Sequence, residues 1–188
     1  KARELMARHG LPMAPSSGLL CGDPAEALQA AQRIGFPVLV KPAAGGGGIG
    51  MVAAHDADAL LKAIGQASSL AARSFGSADV YLERLMLEPR HIEFQVLADC
   101  HGNVRHLFER DCSIQRRHQK VIEESPAPLL SRALVGAAAG DIVAVLRKLR
   151  YDVIGTVETL HAPGNGFQFL ETNTRLQVEH AVTEEITG

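Results

Sequence analysis

Phe36-Pro37-Val38-Leu39-Val40-Lys41-Pro42 runs through Ala43-Ala44-Gly45-Gly46-Gly47-Gly48-Ile49-Gly50 into Met51-Val52-Ala53. The first part is a short apolar run bounded by prolines, which reads as a strand delivering Lys41 to its end. Met51 to Ala53 can return as the second strand of a hairpin, so the stretch is strand, flexible loop, strand. Packing does not explain four consecutive glycines plus Gly50, because each loses backbone entropy on folding and brings no side chain. Such a loop lets backbone N–H groups approach an anion, and a lysine at the end of a buried strand needs an anionic partner. A plain flexible linker is the alternative. The spacing matches neither GxxxxGK[ST] nor GxGxxG, so it supports neither of those nucleotide-binding folds.

On either side the pattern alternates helices with strands. Asp23-Pro24, then Ala25 to Ile34, then Gly35 reads as N-cap, first-turn proline, helix and C-terminal glycine. Asp56 to about Phe75 has apolar residues at Ala59, Leu60, Ala63 and Ile64, which is helical spacing. Val80 to Leu85, Ile92 to Leu97 and Val104 to Glu109 read as strands. Ser131 can cap a helix from Arg132 towards Arg150, and Val153 to Leu160 with Phe167 to Glu171 make a last strand pair. The fold class is α+β: an entering helix over 1–12, a small helix-flanked sheet over 13–84, and a larger sheet over 85–188. The chain opens inside a helix-like pattern and stops abruptly at Gly188, which reads as a piece cut from a longer polypeptide.

Composition narrows the function classes. The chain has 188 residues, 46% hydrophobic and 21% charged, enough to bury a core. A net charge of -2 with scattered Lys and Arg gives no footprint for nucleic acid. The three cysteines are odd in number and lack CxxC spacing, which suits reduced thiols in the cytoplasm, or in the mitochondrial matrix of a eukaryote. No apolar run approaches the length of a membrane span, so no membrane partner is expected.

Four further groups could carry chemistry. Glu158 and Glu171 lie on two apolar strands that a turn would pair, with Asn173 just after. Carboxylate and amide oxygens are what Mg²⁺ prefers when phosphates also hold it; solvent-facing glutamates on an edge sheet are the alternative. Arg175, Gln177 and Glu179 alternate strictly and share a face if that segment is extended, as a site wall or a solvated strand face. Asp111 to Lys120 is too polar for a core and lacks turn-formers, and reads by itself as charged surface. The histidines show neither HExxH spacing nor a cysteine partner for zinc, and no base is marked for Cys112 as a nucleophile.

Taken together, three segments closely resemble the biotin carboxylase family of the ATP-grasp superfamily: Val40-Lys41 with the glycine loop, Glu109-Arg110-Asp111-Cys112-Ser113-Ile114-Gln115-Arg116-Arg117-His118-Gln119-Lys120, and Glu171-Thr172-Asn173-Thr174-Arg175-Leu176-Gln177-Val178-Glu179-His180. The resemblance runs from about Gly10 to Gly188. It implies that 13–84 is the ATP-grasp lid, moving as one body, and that 85–188 is the first part of the ATP-grasp core. It also implies ATP, Mg²⁺ (or Mn²⁺) and biotin, with bicarbonate phosphorylated to carboxyphosphate. By motif match Lys41 holds phosphate oxygens, and Gly45, Gly46, Gly47 and Gly48 fold over the phosphates. Glu83, Arg84 and Met86 sit at the adenine hinge, His91 near the ribose, and Gln115 and His118 face the nucleotide. Glu158, Glu171 and Asn173 match the metal ligands. Lys120, Arg175, Gln177 and the Val178 backbone match the bicarbonate pocket, and Glu179 matches the general base. Expected partners are biotin on a carrier domain or protein and a carboxyltransferase, in a homodimer or larger complex, with the isolated segment inactive. Ile49 stands where the family's loop usually carries arginine, and Ala181 and Glu185 where proline and methionine are commoner. The alternatives are another ATP-grasp ligase, such as a carbamoyl-phosphate synthase half, and a nucleotide-binding module without catalysis. The Gln115 to Lys120 run argues against the first, and the intact metal and base positions argue against the second.

Overall fold

The computed structural model describes residues 2–20, 23–44 and 48–188. Most of the glycine loop, Gly45 to Gly47, lies outside them, as does Cys21. The chain forms two compact units: Ala14–Met86, and Lys1–Met13 with Leu87–Gly188.

In the first of these, β1 (Ser16–Leu19), β2 (Val38–Pro42), β3 (Val52–Ala54) and β4 (Val80–Arg84) form one antiparallel sheet in the order β1-β4-β2-β3. The hairpin expected around the glycines is the β2–β3 pair, with Val38 opposite Ala54. Helices α2 (Pro24–Ile34) and α3 (Ala57–Phe75) begin where Asp23 and Asp56 accept the N–H groups of Ala25 and Ala59. Val38, Val40, Val80 and Leu82 pack with Ala27, Ala31, Leu60, Ala63 and Ala67 of those helices. Alternation then puts Leu39, Lys41, Tyr81 and Glu83 on the other face of the sheet.

The larger unit holds α1 (Ala2–Arg8), β5 (Arg90–Ala98), β6 (Val104–Arg116), β7 (Gln119–Glu124), α4 (Arg132–Lys148), β8 (Gly155–Ala162), β9 (Gly166–Asn173) and α5 (His180–Thr187). Its antiparallel sheet runs β7-β6-β5-β8-β9. One face is apolar: Ile92, Phe94, Val96, Val157, Phe167 and Phe169 pack with Val135, Ala139, Ile142 and Leu146 of α4 and with Met6 and Leu11. Phe94 and Phe167 meet edge to face at 5.5 Å. The opposite face carries the polar residues.

Two expectations are overturned. The polar run Asp111 to Lys120 is not loose surface: β6 continues through it, and the chain reverses at Arg117-His118 into β7, a strand that the sequence pattern does not announce. Both turn residues take positive φ, 53° and 63°, as a two-residue hairpin requires, although neither is a turn-former. Likewise Arg175 to Glu179 is not an extended strand. Gln177 to Glu179 is a turn, with the N–H groups of His180, Ala181 and Val182 donating to the carbonyls of Gln177, Val178 and Glu179, which leads into α5.

Candidate active site

Strand register assembles the site in the larger unit. Glu93 on β5 stands opposite Arg110 on β6 and opposite Glu158 on β8, and Glu158 stands opposite Glu171 on β9. Directly paired residues share a face. A single rung of four charged side chains therefore crosses four strands on the face away from α4. Glu93, Arg110 and Glu158 are buried while Glu171 is exposed.

Lys120 on β7 closes the rung. Its Nζ donates to Glu93 Oε2 at 2.5 Å, Glu179 Oε1 at 2.6 Å and Glu158 Oε1 at 3.0 Å. Burial alone would lower this ammonium, but the surrounding carboxylates, Glu93 foremost, push it far above its ordinary range. Burial likewise raises the Glu158 carboxyl, and the hydrogen bonds and charges of His91 and Lys120 outweigh it, holding Glu158 at about 2. Glu179 follows the same logic: burial raises it, the Lys120 hydrogen bond and charge bring it below the ordinary carboxylate range. Both acids are ionised at neutral pH.

Around this centre three more polar groups approach Glu158. His91 Nε2 lies 2.9 Å from its Oε2, and Asn173 Nδ2 and Gln177 Nε2 reach Oε1 at 2.8 and 3.5 Å. Gln115 lies 2.9 Å from His91 Nδ1 and donates to the Cys112 carbonyl at 2.8 Å. The fold thus brings together Lys120, Glu158, Asn173, Gln177, Glu179, His91 and Gln115. Arg175 is exposed and donates to the Leu176 carbonyl beside it. Val178 is 94% exposed, and His118 is exposed at the β6–β7 turn.

In the Ala14–Met86 unit, Lys41 Nζ donates to Glu83 Oε1 at 3.1 Å, so a carboxylate of the same sheet face meets the lysine. Arg84 donates to the Ile34 carbonyl at 3.3 Å across Gly35, where a Cβ would meet the guanidinium at 2.2 Å. Met86 is buried, and Gly48 lies in a turn at positive φ.

The chemistry of the donor set can be tested against a metal. Glu158, Glu171 and Asn173 carry the carboxylate and amide oxygens that Mg²⁺ takes, with Asn173 here turning its Nδ2 to Glu158 and Glu171 exposed. A second group also forms: ligand atoms of His91, Glu93 and Glu158 lie within 4.8 Å of one another. Spacing marks no histidine as a metal ligand, because His91 meets its carboxylates through strand pairing rather than through a local motif. Lys120 already supplies the positive charge to that group. Cys112 is wholly buried, and burial with the Glu93 charge pushes its thiol far above the ordinary range, which removes it as a nucleophile.

Sequence reasoning missed Glu93 and Arg110. Ile92, Phe94 and Val96 alternate with Glu93 and Gln95, and that alternation is the same for a solvent face and for a buried polar site.

All residues from 1 to 188 match the model of the family described as carbamoyl-phosphate synthase L chain, ATP binding domain. The chain belongs to that family. This ATP-binding domain is 48% identical over 187 residues to a pyruvate carboxylase subunit of Methanothermobacter thermautotrophicus, covering 100% of the chain and 38% of that protein. It is 50% identical over 187 residues to the chloroplastic biotin carboxylase 2 of Populus trichocarpa, of which it covers 36%. The domain superposes on the crystal structure of a Campylobacter jejuni biotin carboxylase–β,γ-ATP complex with a TM-score of 0.92 at 45% identity, over 98% of this chain and 42% of that one. A Hydrogenobacter thermophilus 2-oxoglutarate carboxylase biotin carboxylase domain dimer, with MgADP, ADP and bicarbonate, gives 0.92 at 43% identity, over 99% and 41%. The fold is that of biotin carboxylase ATP-grasp domains, and the domain spans well under half the length of these relatives. No helix among the described residues is long and apolar enough to cross a membrane.

Proposed function

We propose that the chain is the ATP-binding part of a biotin carboxylase which, as the whole protein, uses ATP and bicarbonate to carboxylate biotin through carboxyphosphate. The observation that carries this reading is Lys120 held among Glu93, Glu158 and Glu179: a fixed cation beside an ionised carboxylate, as bicarbonate binding and deprotonation require.

Lys41 would neutralise phosphate oxygens, with Gly45 to Gly48 donating backbone N–H groups; Glu83, Arg84 and Met86 would take the adenine. His91, Gln115 and His118 would take the rest of the nucleotide. Glu158, Glu171 and Asn173 would hold Mg²⁺, which offsets phosphate charge when bound. Lys120, Arg175, Gln177 and the Val178 backbone would orient bicarbonate. Glu179 would accept its proton, and bicarbonate taking up part of the Lys120 charge would raise Glu179 toward a more basic range. Biotin on a carrier, a carboxyltransferase and a second copy of the protein complete the expected assembly, in the cytoplasm or the mitochondrial matrix.

The test is ATP hydrolysis by the full-length parent protein. Dependence on bicarbonate with stimulation by free biotin is expected. Dependence on an ammonia donor, without any response to biotin, would overturn the reading in favour of a carbamoyl-phosphate synthase.

A further inference from the structure

We infer that Arg110 and Thr183 are positioning residues for Glu179, fixing the turn of α5 that aims its carboxylate at Lys120. The inference rests on the reading of Glu179 as the bicarbonate base. Arg110 is wholly buried; its Nε donates to Glu93 Oε1 at 2.7 Å, and its Nη1 donates to Gln95 Oε1 at 2.9 Å and to Thr183 Oγ1 at 2.5 Å. Thr183, 1% exposed, lies four residues beyond Glu179 and so on the same helical face. Glu93 accepts Arg110 on one oxygen and Lys120 on the other, and Lys120 reaches Glu179. The contacts close a ring: Arg110, Glu93, Lys120, Glu179, one turn of helix, Thr183, and back to Arg110.

The helix needs such an anchor. α5 has eight residues and no side-chain cap at Glu179, and a helix that short is not stable by itself. Its orientation comes from what its buried face meets. A guanidinium is suited to this because its donors are held in a rigid planar fork, so one residue can fix Glu93 and Thr183 at once. The Thr183 hydroxyl accepts from Arg110, which holds Glu93 and through it Lys120, so Thr183 acts on Glu179 through that ring.

The experiment uses the full-length parent enzyme. Thr183→Val keeps the shape and removes the hydroxyl. Bicarbonate-dependent ATP cleavage should fall about 10–100-fold, the cost of misplacing a reacting group by about an ångström. KM for ATP should stay within twofold, and Thr183→Ser should restore turnover. Arg110→Lys, which keeps the charge and loses the fork, should fall similarly. If Thr183→Val proves unfolded by circular dichroism, the Ser and Lys variants still decide, Ser active and Lys impaired. In a Glu179→Gln background, adding Thr183→Val or Arg110→Lys should cause no further fall. Losses that multiply with Glu179→Gln, or that raise KM for ATP in parallel, would overturn the positioning role in favour of general stability. Unimpaired turnover in both Thr183→Val and Arg110→Lys would overturn it too. If Glu179→Gln itself turns over normally, the base reading fails and the inference with it, a result separable from failure of the ring alone.

Discussion

Replacing Glu179 with Gln in the full-length enzyme should separate chemistry from both binding and folding. Glu179 makes its hydrogen bond to Lys120 at 2.6 Å, and Gln keeps an oxygen of the same reach. Lys120 retains Glu93 and Glu158 within 3.0 Å, so no buried cation is left unpaired. The loss to folding is one charge-assisted bond exchanged for a neutral one, about 1 kcal/mol. The chemical loss is larger. An amide cannot accept the bicarbonate proton, and removing a general base lowers turnover roughly 10²–10⁴-fold, or about 2.7–5.4 kcal/mol in the barrier. The assay is bicarbonate-dependent ADP release at saturating ATP, with KM for ATP and the urea midpoint measured on the same preparation. ATP affinity should barely change, because the side-chain hydrogen bond that Glu179 accepts comes from Lys120, which is assigned to bicarbonate. A parallel fall in ATP affinity and turnover would refute the assignment, and so would unchanged turnover.

Three other outcomes are expected. Glu158, held at about 2 against its ordinary 4.5, contributes on the order of 3 kcal/mol of folding stability, present above about pH 4.5 and lost as pH falls through 4.5 towards 2; Glu158→Gln should therefore flatten the acid limb of urea-unfolding stability between pH 5 and pH 3.5, measured without nucleotide, and identical slopes would contradict the depressed pKa. Glu171→Gln, at an exposed site, should leave folding unchanged and weaken Mg²⁺–ATP binding by on the order of 1–3 kcal/mol, read as a raised Mg²⁺ requirement; an unaltered magnesium titration would remove it from the metal site. Gly155→Ala would drive a Cβ to 2.6 Å from the Asn173 carbonyl and 2.0 Å from the Tyr151 hydroxyl, so unfolding should come about 1–3 kcal/mol easier and the magnesium requirement should rise with it; a variant unchanged in both would show that β9 yields freely.

What could be read in the sequence was local. Asp23 and Asp56 mark their helices by the capping bonds they make, and the prolines and glycines around Val38 to Ala54 mark a hairpin. The pairing of Glu158 with Glu171 was also within reach, since one short turn fixes it. The rung through Glu93 and Arg110 was not, because register between β5, β6 and β8 depends on which strands become neighbours. The β6–β7 turn escaped because Arg117 and His118 hold backbone angles that bulky residues seldom adopt. Strict alternation over Arg175 to Glu179 suggested a strand, whereas a turn into α5 brings Glu179 to Lys120. The residue roles in the resemblance were legible only as a motif, since spacing gave no reason to prefer a site wall to a solvated face.

The smaller unit interrupts the larger one in the chain, and this sets an order of events during synthesis. Ribosomes release about 5–20 residues per second. Met13 bridges to Phe169 in parallel, and the Phe169 N–H donates to the Pro12 carbonyl at 2.8 Å. The segment around α1 therefore emerges first and waits, while Ala14–Met86 can complete its own core of Val38, Val40, Leu60 and Leu82. The partner strand around Phe169 follows roughly 155 residues later, an interval of about 8–31 s at that rate. For that time Met6 and Leu11, both buried in the finished protein, face solvent and whatever chaperone meets a nascent chain.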